Sequence, residues 1–286
     1  MVQMETPYKL PISSTAKPEG LVSRLLFRAG RASLGLALPV VLLIVWSIAC
    51  KHQWVPPQLL PAPDVVRDTF VDEIRTGDLW ANVRVSLERV LVGFAAGSVA
   101  GLVLGTAMGL SRRLEDYIYP LFNALSQVPV LAWVPLAMLF LGIGESLKFV
   151  FIAFAALLPV AVNTLRGFRG VPRAYMDVGA TFQFTRRQYL RRVVLPAAVP
   201  SIFVGLRTGL TQAWLSLVTV ELLASSEGLG FLVVWGRQLF QLDLVLVAIL
   251  AIGIVGLVLD KGLAIVESRF LRWRPRASLS STGRAQ

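Results

Sequence analysis

The sequence predicts an all-α membrane protein that crosses the bilayer about six times. Hydrophobic residues make up 55% of the 286 residues and charged residues only 16%. Apolar runs of about 18 residues or more recur along the chain, which is the length of a helix that spans a bilayer. A soluble protein of this size could not bury all of them. A transmembrane β-barrel would instead show ten-residue segments of alternating polarity, and the sequence has none.

Six apolar segments qualify as spans. They are residues 33–50, 90–110, 119–141, 147–165, 199–224 and 244–266. The third is interrupted by Pro129 and Pro135. The first follows basic residues, as a signal peptide does, but it is long and no small-residue cleavage site follows it, which favours an uncleaved span. Residues 225–243 are half apolar and too short to cross twice, so they predict a surface or re-entrant helix.

The distribution of basic residues predicts the orientation. With an inside N-terminus, the inside segments hold 19 of the 28 Lys and Arg residues and the outside segments hold four. Basic residues concentrate in cytoplasmic loops, so both termini are expected in the cytoplasm. The inside segments are the tail 1–32, residues 111–116 and 166–196, and the C-terminal stretch 267–286, which includes the tail 271–286. The outside segments are 51–83, 142–146 and 225–243. Within the first of these, PAPDVVRDTFVDEI predicts a short surface helix with Asp64 as its N-cap.

The composition also excludes several kinds of site. One cysteine, Cys50, allows no internal disulfide. With a single histidine, His52, no metal site built from His and Cys is expected. The net charge of +11 belongs to membrane-flanking loops, and no soluble domain supports a nucleic-acid-binding interpretation. The chain contains no G-x-x-x-x-G-K-[ST] phosphate loop, so no cofactor is expected on it.

Glycines recur every fourth residue in the second span. In a helix this spacing draws a stripe that drifts by about 40° per step. Such a stripe indicates that another backbone approaches closely. Packing between helices of one subunit is the favoured interpretation, and a moving interface between subunits or gates is the alternative. The stripe consists of Gly93, Gly97, Gly101, Gly105 and Gly109.

The basic segment 166–196 predicts a helical hairpin. A first helix is expected over residues 173–182, and its apolar face would carry Tyr175, Val178 and Phe182. A second helix begins at Thr185, where T-x-x-Q with Gln188 forms a capping box, and Leu195-Pro196 is expected to end it. An ordered hairpin with exposed aromatic residues suits the groove of a partner. The alternative is an amphipathic loop whose arginines contact lipid phosphates.

Residues 177–196, DVGATFQFTRRQYLRRVVLP, resemble the cytoplasmic "EAA" loop of ABC importer permeases, the inner-membrane components of binding-protein-dependent transport. Asp177, Val178 and Gly179 take the E-A-A positions, and Leu195-Pro196 the closing pair. Gln183 replaces the usual glycine, which would cost about 1–2 kcal/mol if the turn needs a left-handed residue. Residues 129–167 and 205–233 resemble spans of the nitrate/sulfonate/taurine branch, and the resemblance covers about residues 75–273.

The resemblance implies a type I ABC importer (MetI-like) permease fold in a bacterial inner membrane, with its core in residues 84–270. Two permease subunits, expected to be identical, would dock two copies of an ATPase subunit, where ATP–Mg would bind. A solute-binding protein would deliver nitrate, taurine or an alkanesulfonate, with bicarbonate or a vitamin precursor as alternatives. The loop 166–196 would couple the ATPase to the spans, through Arg173, Tyr175, Asp177, Val178, Gly179, Phe182 and Gln183.

Polar and aromatic residues inside spans are candidates for the translocation path, because such groups face a cavity or a neighbouring helix. They are Asn123, Gln127, Trp133, Asn163, Gln212 and Trp214. Arg207 could attract an anion or pair locally, whereas Glu221 and Asp260 resemble structural or gating charges. A secondary transporter would need a carboxylate at mid-span, and none is found. An intramembrane enzyme would lack suitable catalytic groups.

Overall fold

The computed structural model describes residues 37–56 and 59–273. The chain separates into two compact units, residues 1–57 and 58–286. In the first, the described residues contain one apolar helix, α1 (Ala37–Lys51). It is shorter than the 18 residues expected of a span, and residues 33–36, which the sequence assigns to the same span, lie outside the described residues.

The described part of the second unit is also helical, and it contains two non-α turns. A 3₁₀ turn covers Val130–Trp133 and a π turn covers Leu190–Val194. The α-helices are α2 (Pro63–Thr76), α3 (Asp78–Leu110), α4 (Arg112–Ser126), α5 (Val134–Leu141), α6 (Glu145–Arg169), α7 (Arg173–Thr181), α8 (Arg186–Tyr189), α9 (Leu195–Ala224), α10 (Leu229–Gln238) and α11 (Leu242–Phe270).

Four stretches are long and apolar enough to cross a membrane: α3, α6, α11 and residues Arg186–Gln238, which contain α9. A fifth forms if α4 and the apolar helix after it are counted together, although the two meet at 90°. The sequence predicted interruptions of this third span at Pro129 and Pro135, and the chain bends beside Pro129, whereas Pro120 lies inside α4. The all-helical membrane class is confirmed, and the described residues supply four or five of the six predicted spans.

Close packing of α3, α6 and α9 forms the centre of the second unit. Every glycine of the α3 stripe lies against α6: a Cβ atom at Gly97 would lie 2.1 Å from the carbonyl oxygen of Ala153, and one at Gly105 would lie 2.5 Å from that of Ala161. These distances leave no room for a side chain, so the stripe lets the two backbones approach within one chain.

Two boundaries differ from the prediction. The helix that contains the second predicted span, 90–110, begins earlier, at Asp78, because Gly77 takes a left-handed conformation (φ 87°) that ends α2 and starts α3. The surface helix has Ala62, not Asp64, as its N-cap. Pro63 occupies the first turn, which suits its fixed φ and missing N–H, and the carboxylate of Asp64 follows it at the positive end of the helix.

Candidate functional site

The basic segment folds into the predicted helical hairpin. Its first helix, α7, is followed by a turn in which Gln183 has φ 50°, a left-handed conformation that favours glycine. The second helix starts after Thr185, whose hydroxyl accepts from the Gln188 N–H while the Gln188 side chain accepts from the Thr185 N–H. The local sequence therefore defines both the turn and the direction of the second helix.

Gly179 closes the hairpin. A Cβ atom at this position would lie 2.9 Å from the ring of Tyr189, and the Phe184 N–H donates to the Gly179 carbonyl oxygen at 3.0 Å. A larger residue would push the two helices of the hairpin apart. This position in the loop therefore requires a residue without a bulky side chain, which agrees with the small residue expected there.

An exposed aromatic surface lies on this hairpin. Tyr175 is 55% exposed and Phe182 is 69% exposed, and Asp177 is also exposed. The Phe182 ring stacks on Phe184 with centroids 5.9 Å apart, and the Arg192 guanidinium lies 5.7 Å from the centroid of Phe184. Phe182 therefore does not pack beneath the spans. Arg173 and Val178 were also predicted to contact the ATPase. The structure describes their backbone but not their side chains.

The base of the hairpin is buried between two spans. Phe168, near the end of α6, and Val171, just after it, pack with Val194 of the π turn and Ala198 at the start of α9. The prediction that Leu195-Pro196 ends the second helix is wrong, because the helix continues into α9. The π turn over Leu190–Val194 directly precedes Pro196, and such a wider turn accommodates a residue without an N–H. The second helix of the hairpin, the π turn and α9 form one continuous helical stretch.

Three of the six path candidates meet in one cavity. Asn123 on α4, Asn163 on α6 and Gln212 on α9 line a space of about 400 Å³ beside the bend at Pro129. Arg166 also lines it, although the sequence suggested only that this residue belonged to the basic loop. No carboxylate is among the cavity-lining residues that the structure describes.

The other path candidates lie elsewhere. Gln127 is exposed at the bend. Trp133 lines an adjacent apolar cavity of about 390 Å³, where its ring N–H has no hydrogen-bond partner among the described residues. Trp214 is buried, with its ring nitrogen 2.9 Å from where a Cβ of Gly256 would lie. Trp214 thus packs α9 on α11, as the interhelical alternative expected, and does not line the polar cavity.

Arg207 forms a local pair. Its guanidinium donates two hydrogen bonds to Asp260 on α11, at 2.7 and 2.8 Å. Both side chains remain partly exposed, at 50% and 38%. Of the two roles that the sequence allowed for Arg207, the structure shows the paired one.

A buried charge cluster at the other end of the spans was not predicted. Arg89 on α3 is 3% exposed and donates to Glu145 on α6 at 2.6 and 2.8 Å. It also donates to Glu221 on α9 at 3.1 Å and to the carboxylate of Glu227 at 2.9 Å. Glu221 is fully buried and additionally accepts from Ser86 and from the Gly230 N–H. The cluster thereby joins α3, α6, α9 and the start of α10.

One signal in the sequence could have identified this cluster. Arg89 lies four residues before the first glycine of the stripe and directly before the predicted span 90–110. An arginine in a membrane-spanning helix normally requires an acidic partner. Glu221 was noted as a structural or gating charge, but nothing local indicated that the two would meet, since 132 residues separate them.

Comparisons with known proteins place the chain among importer permeases. Residues 97–272, more than half of the chain, match the family "Binding-protein-dependent transport system inner membrane component". The chain is 36% identical over 240 residues to a putative aliphatic sulfonates transport permease, SsuC, of Bacillus subtilis, a similarity that covers 84% of this chain and 87% of the relative. It is 35% identical to the nitrate import permease NrtB of Synechocystis, over 80% of this chain and 85% of the relative.

A third relative is the taurine transport system permease TauC of Escherichia coli, 33% identical over 85% of this chain and 90% of its own length. Among solved structures, an amino acid ABC transporter with histidines superposes with a TM-score of 0.60 at 15% identity, covering 70% of this chain and 98% of that one. The fold is that of MetI-like permeases, as expected. The chain belongs to the family of binding-protein-dependent transport system inner membrane components, which are transport permease subunits and not enzymes.

Proposed function

We propose that this permease forms the translocation path of an ATP-driven importer for a small sulfonate-like or nitrate-like solute, and that residues 166–196 couple it to a separate ATPase. ATP–Mg binds to the ATPase, two copies of which dock on a pair of permease subunits, and a binding protein delivers the solute. The relatives named for sulfonates, nitrate and taurine support the solute class.

The exposed hairpin carries the coupling proposal. Tyr175 and Phe182 are large aromatic side chains exposed on a hairpin whose second helix is capped, which favours insertion into a partner's groove. Asp177 adds one exposed charge that can pair with a basic residue there. Because the base of the hairpin packs between α6 and α9, a force on the hairpin reaches these two spans directly.

The orientation follows the same proposal. The hairpin and both termini face the cytoplasm, where the ATPase lies, in agreement with the distribution of basic residues. The end with the buried charge cluster then faces outward, where the binding protein docks. Boundaries for the tails, 1–32 and 271–286, and for the outer segment 51–83 remain those that the sequence predicts.

Co-purification with the co-expressed ATPase subunit of the same importer tests the coupling proposal. We expect wild-type permease in mild detergent to retain the ATPase, and Asp177→Arg and Phe182→Ala to lose it or to lose solute-stimulated ATP hydrolysis. Trp80→Ala is the matched control, because Trp80 is 70% exposed and lies on α3, outside the hairpin. Wild-type uptake and hydrolysis in both hairpin variants would contradict the coupling role. Uptake into liposomes without any ATPase would instead indicate a secondary transporter.

A further inference from the structure

Arg166 differs from the other basic residues of its helix. Helix α6 carries Lys148, Arg166 and Arg169. Lys148 pairs with Glu145 at 2.7 Å, and Arg169 pairs with Glu115. Among the described residues, the guanidinium of Arg166 has neither an ion pair nor a hydrogen bond. It instead lines the polar cavity between α4, α6 and α9.

The cavity around Arg166 is rich in hydrogen-bond donors. The side-chain amides of Asn123 and Gln212 have no hydrogen-bond partner among the described residues. Asn163 donates one amide hydrogen to the Pro159 carbonyl oxygen at 2.8 Å, which leaves its second one available. Asn163 and Arg166 are three residues apart on one helix, so their side chains share a face.

This combination suits one class of ligand. A guanidinium presents several N–H groups in a planar fork that matches the oxygens of an oxyanion, and amide N–H groups can bind the remaining oxygens. A cation would find no carboxylate among the described lining residues. The space of about 400 Å³ exceeds the volume of nitrate or a short sulfonate, so the anion would keep part of its hydration.

We propose that Arg166, with the amides of Asn123, Asn163 and Gln212, forms an oxyanion site inside the membrane-spanning part of the permease. The inference rests on the proposed function, because a site on the translocation path serves a cargo that crosses it. The site attracts the anion from the outer side toward the hairpin end, where Arg166 lies at the last turn of α6. The phosphate of a lipid headgroup has the same chemistry, so the test must distinguish the two anions.

The test measures the charge preference of the cavity directly. In a Cys50→Ser background, which removes the single native cysteine, Thr208→Cys on α9 supplies a reporter thiol, and Ser126→Cys on α4 supplies a second reporter; both residues line the cavity and neither is among the proposed anion ligands. The complex of permease and ATPase, in phosphatidylcholine nanodiscs, is treated with two thiol reagents of similar size. One is 2-sulfonatoethyl methanethiosulfonate, an anion, and the other is its trimethylammonium analogue, a cation.

We expect Arg166→Gln to lower the ratio of anionic to cationic labelling rates about three- to tenfold. This is the effect expected when one positive charge is removed from the wall of a partly hydrated cavity that also holds the reporter thiol. Arg169→Gln removes a charge one turn away that is already paired, and it should leave the ratio unchanged. Excess methanesulfonate should slow labelling when Arg166 is present and not in Arg166→Gln.

Two results would overturn the proposal. The first is an unchanged labelling ratio in Arg166→Gln at both reporters. The second is protection by phosphatidylglycerol in the nanodisc but not by methanesulfonate, which would assign Arg166 to a lipid phosphate. The labelling readout requires neither ATP nor cargo. A negative labelling result therefore contradicts the anion site without contradicting the coupling proposal. If the ATPase does not co-purify, the labelling can be done on the permease alone, and the measured charge preference remains valid.

Discussion

Replacing Arg89 by methionine tests whether the buried charge cluster holds the outer ends of the spans together. The five N–H groups of the wild-type guanidinium make six donor–acceptor contacts, to Glu145, Glu221, Ser225 and Glu227, so at least one N–H is shared between two acceptors. Methionine keeps much of the side-chain volume but removes the charge and every donor. Glu221, fully buried, would then keep only its neutral donors from Ser86 and Gly230.

The magnitude follows from what remains buried. Removing one partner of a buried ion pair typically costs about 3–5 kcal/mol, because the other charge stays desolvated without compensation. For a protein of this size, that corresponds to a decrease in Tm of roughly 10 °C. The partner Glu145 is half exposed and can be rehydrated, so most of the loss should come from Glu221.

Thermal unfolding of the detergent-purified permease, followed by tryptophan fluorescence, measures the effect. The double variant Arg89→Met/Glu221→Gln should recover part of the lost stability, since it removes the stranded charge. Arg84→Gln is the control, because Arg84 forms only an exposed pair with Glu88 on the same helix, and its Tm should match the wild type. An Arg89→Met protein with the same Tm as the Arg84→Gln control would refute the stabilising role of the cluster.

Three further changes have directions that the structure defines. Gln183→Gly should raise stability by about 1 kcal/mol, because it relieves a left-handed residue; a lower Tm would show that the side chain has a positive role. Gly97→Ala should destabilise by forcing α3 from α6, whereas Gly253→Ala, where an added Cβ meets nothing within 4 Å, should not; equal Tm values would contradict the packing account. Burial, followed by repulsion from Asp78, raises the pKa of Glu73 above its ordinary value. The raised pKa means that the folded state binds a proton at Glu73 more tightly than the unfolded state does. The free energy of unfolding of the wild type therefore falls as pH rises from the ordinary pKa to the raised one. Glu73→Gln should therefore be more stable than wild type at pH 7 and equal to it at low pH, which a pH series of melting curves will show.

Features with local causes could be predicted from the sequence. The stripe from Gly93 to Gly109 indicated close helix packing because its spacing belongs to one helix face. The capping box of Thr185 and Gln188 indicated the start of the second loop helix, and the departure at Gln183 indicated a strained turn. In each case the residues that decide the structure are within a few positions of one another, so no knowledge of the tertiary fold was needed.

Features that depend on residues far apart in the sequence could not be predicted in this way. Arg89 reaches partners 56, 132 and 138 residues away, and no local pattern joins them. Arg166 reads as one more basic residue of a loop until α4 and α9 surround it with amides. The expected helix end at Pro196 was wrong for a related reason: packing of the hairpin base against α6 stabilises a continuous helix, and a π turn accommodates the proline.

The positions of these features along α6 and α9 suggest how motion is transmitted. At one end, Arg89 ties the two helices to α3 through Glu145 and Glu221. At the other, about 37 Å away along a 25-residue helix, the hairpin base is packed between them. A force applied to the hairpin would act on the ends of α6 and α9 that pack on its base, while the Arg89 cluster holds their opposite ends to α3. If the hairpin is the coupling element proposed above, we expect displacement to be largest near Arg166, at the end of α6 where the hairpin base packs, and the cavity of the proposed anion site to change with it.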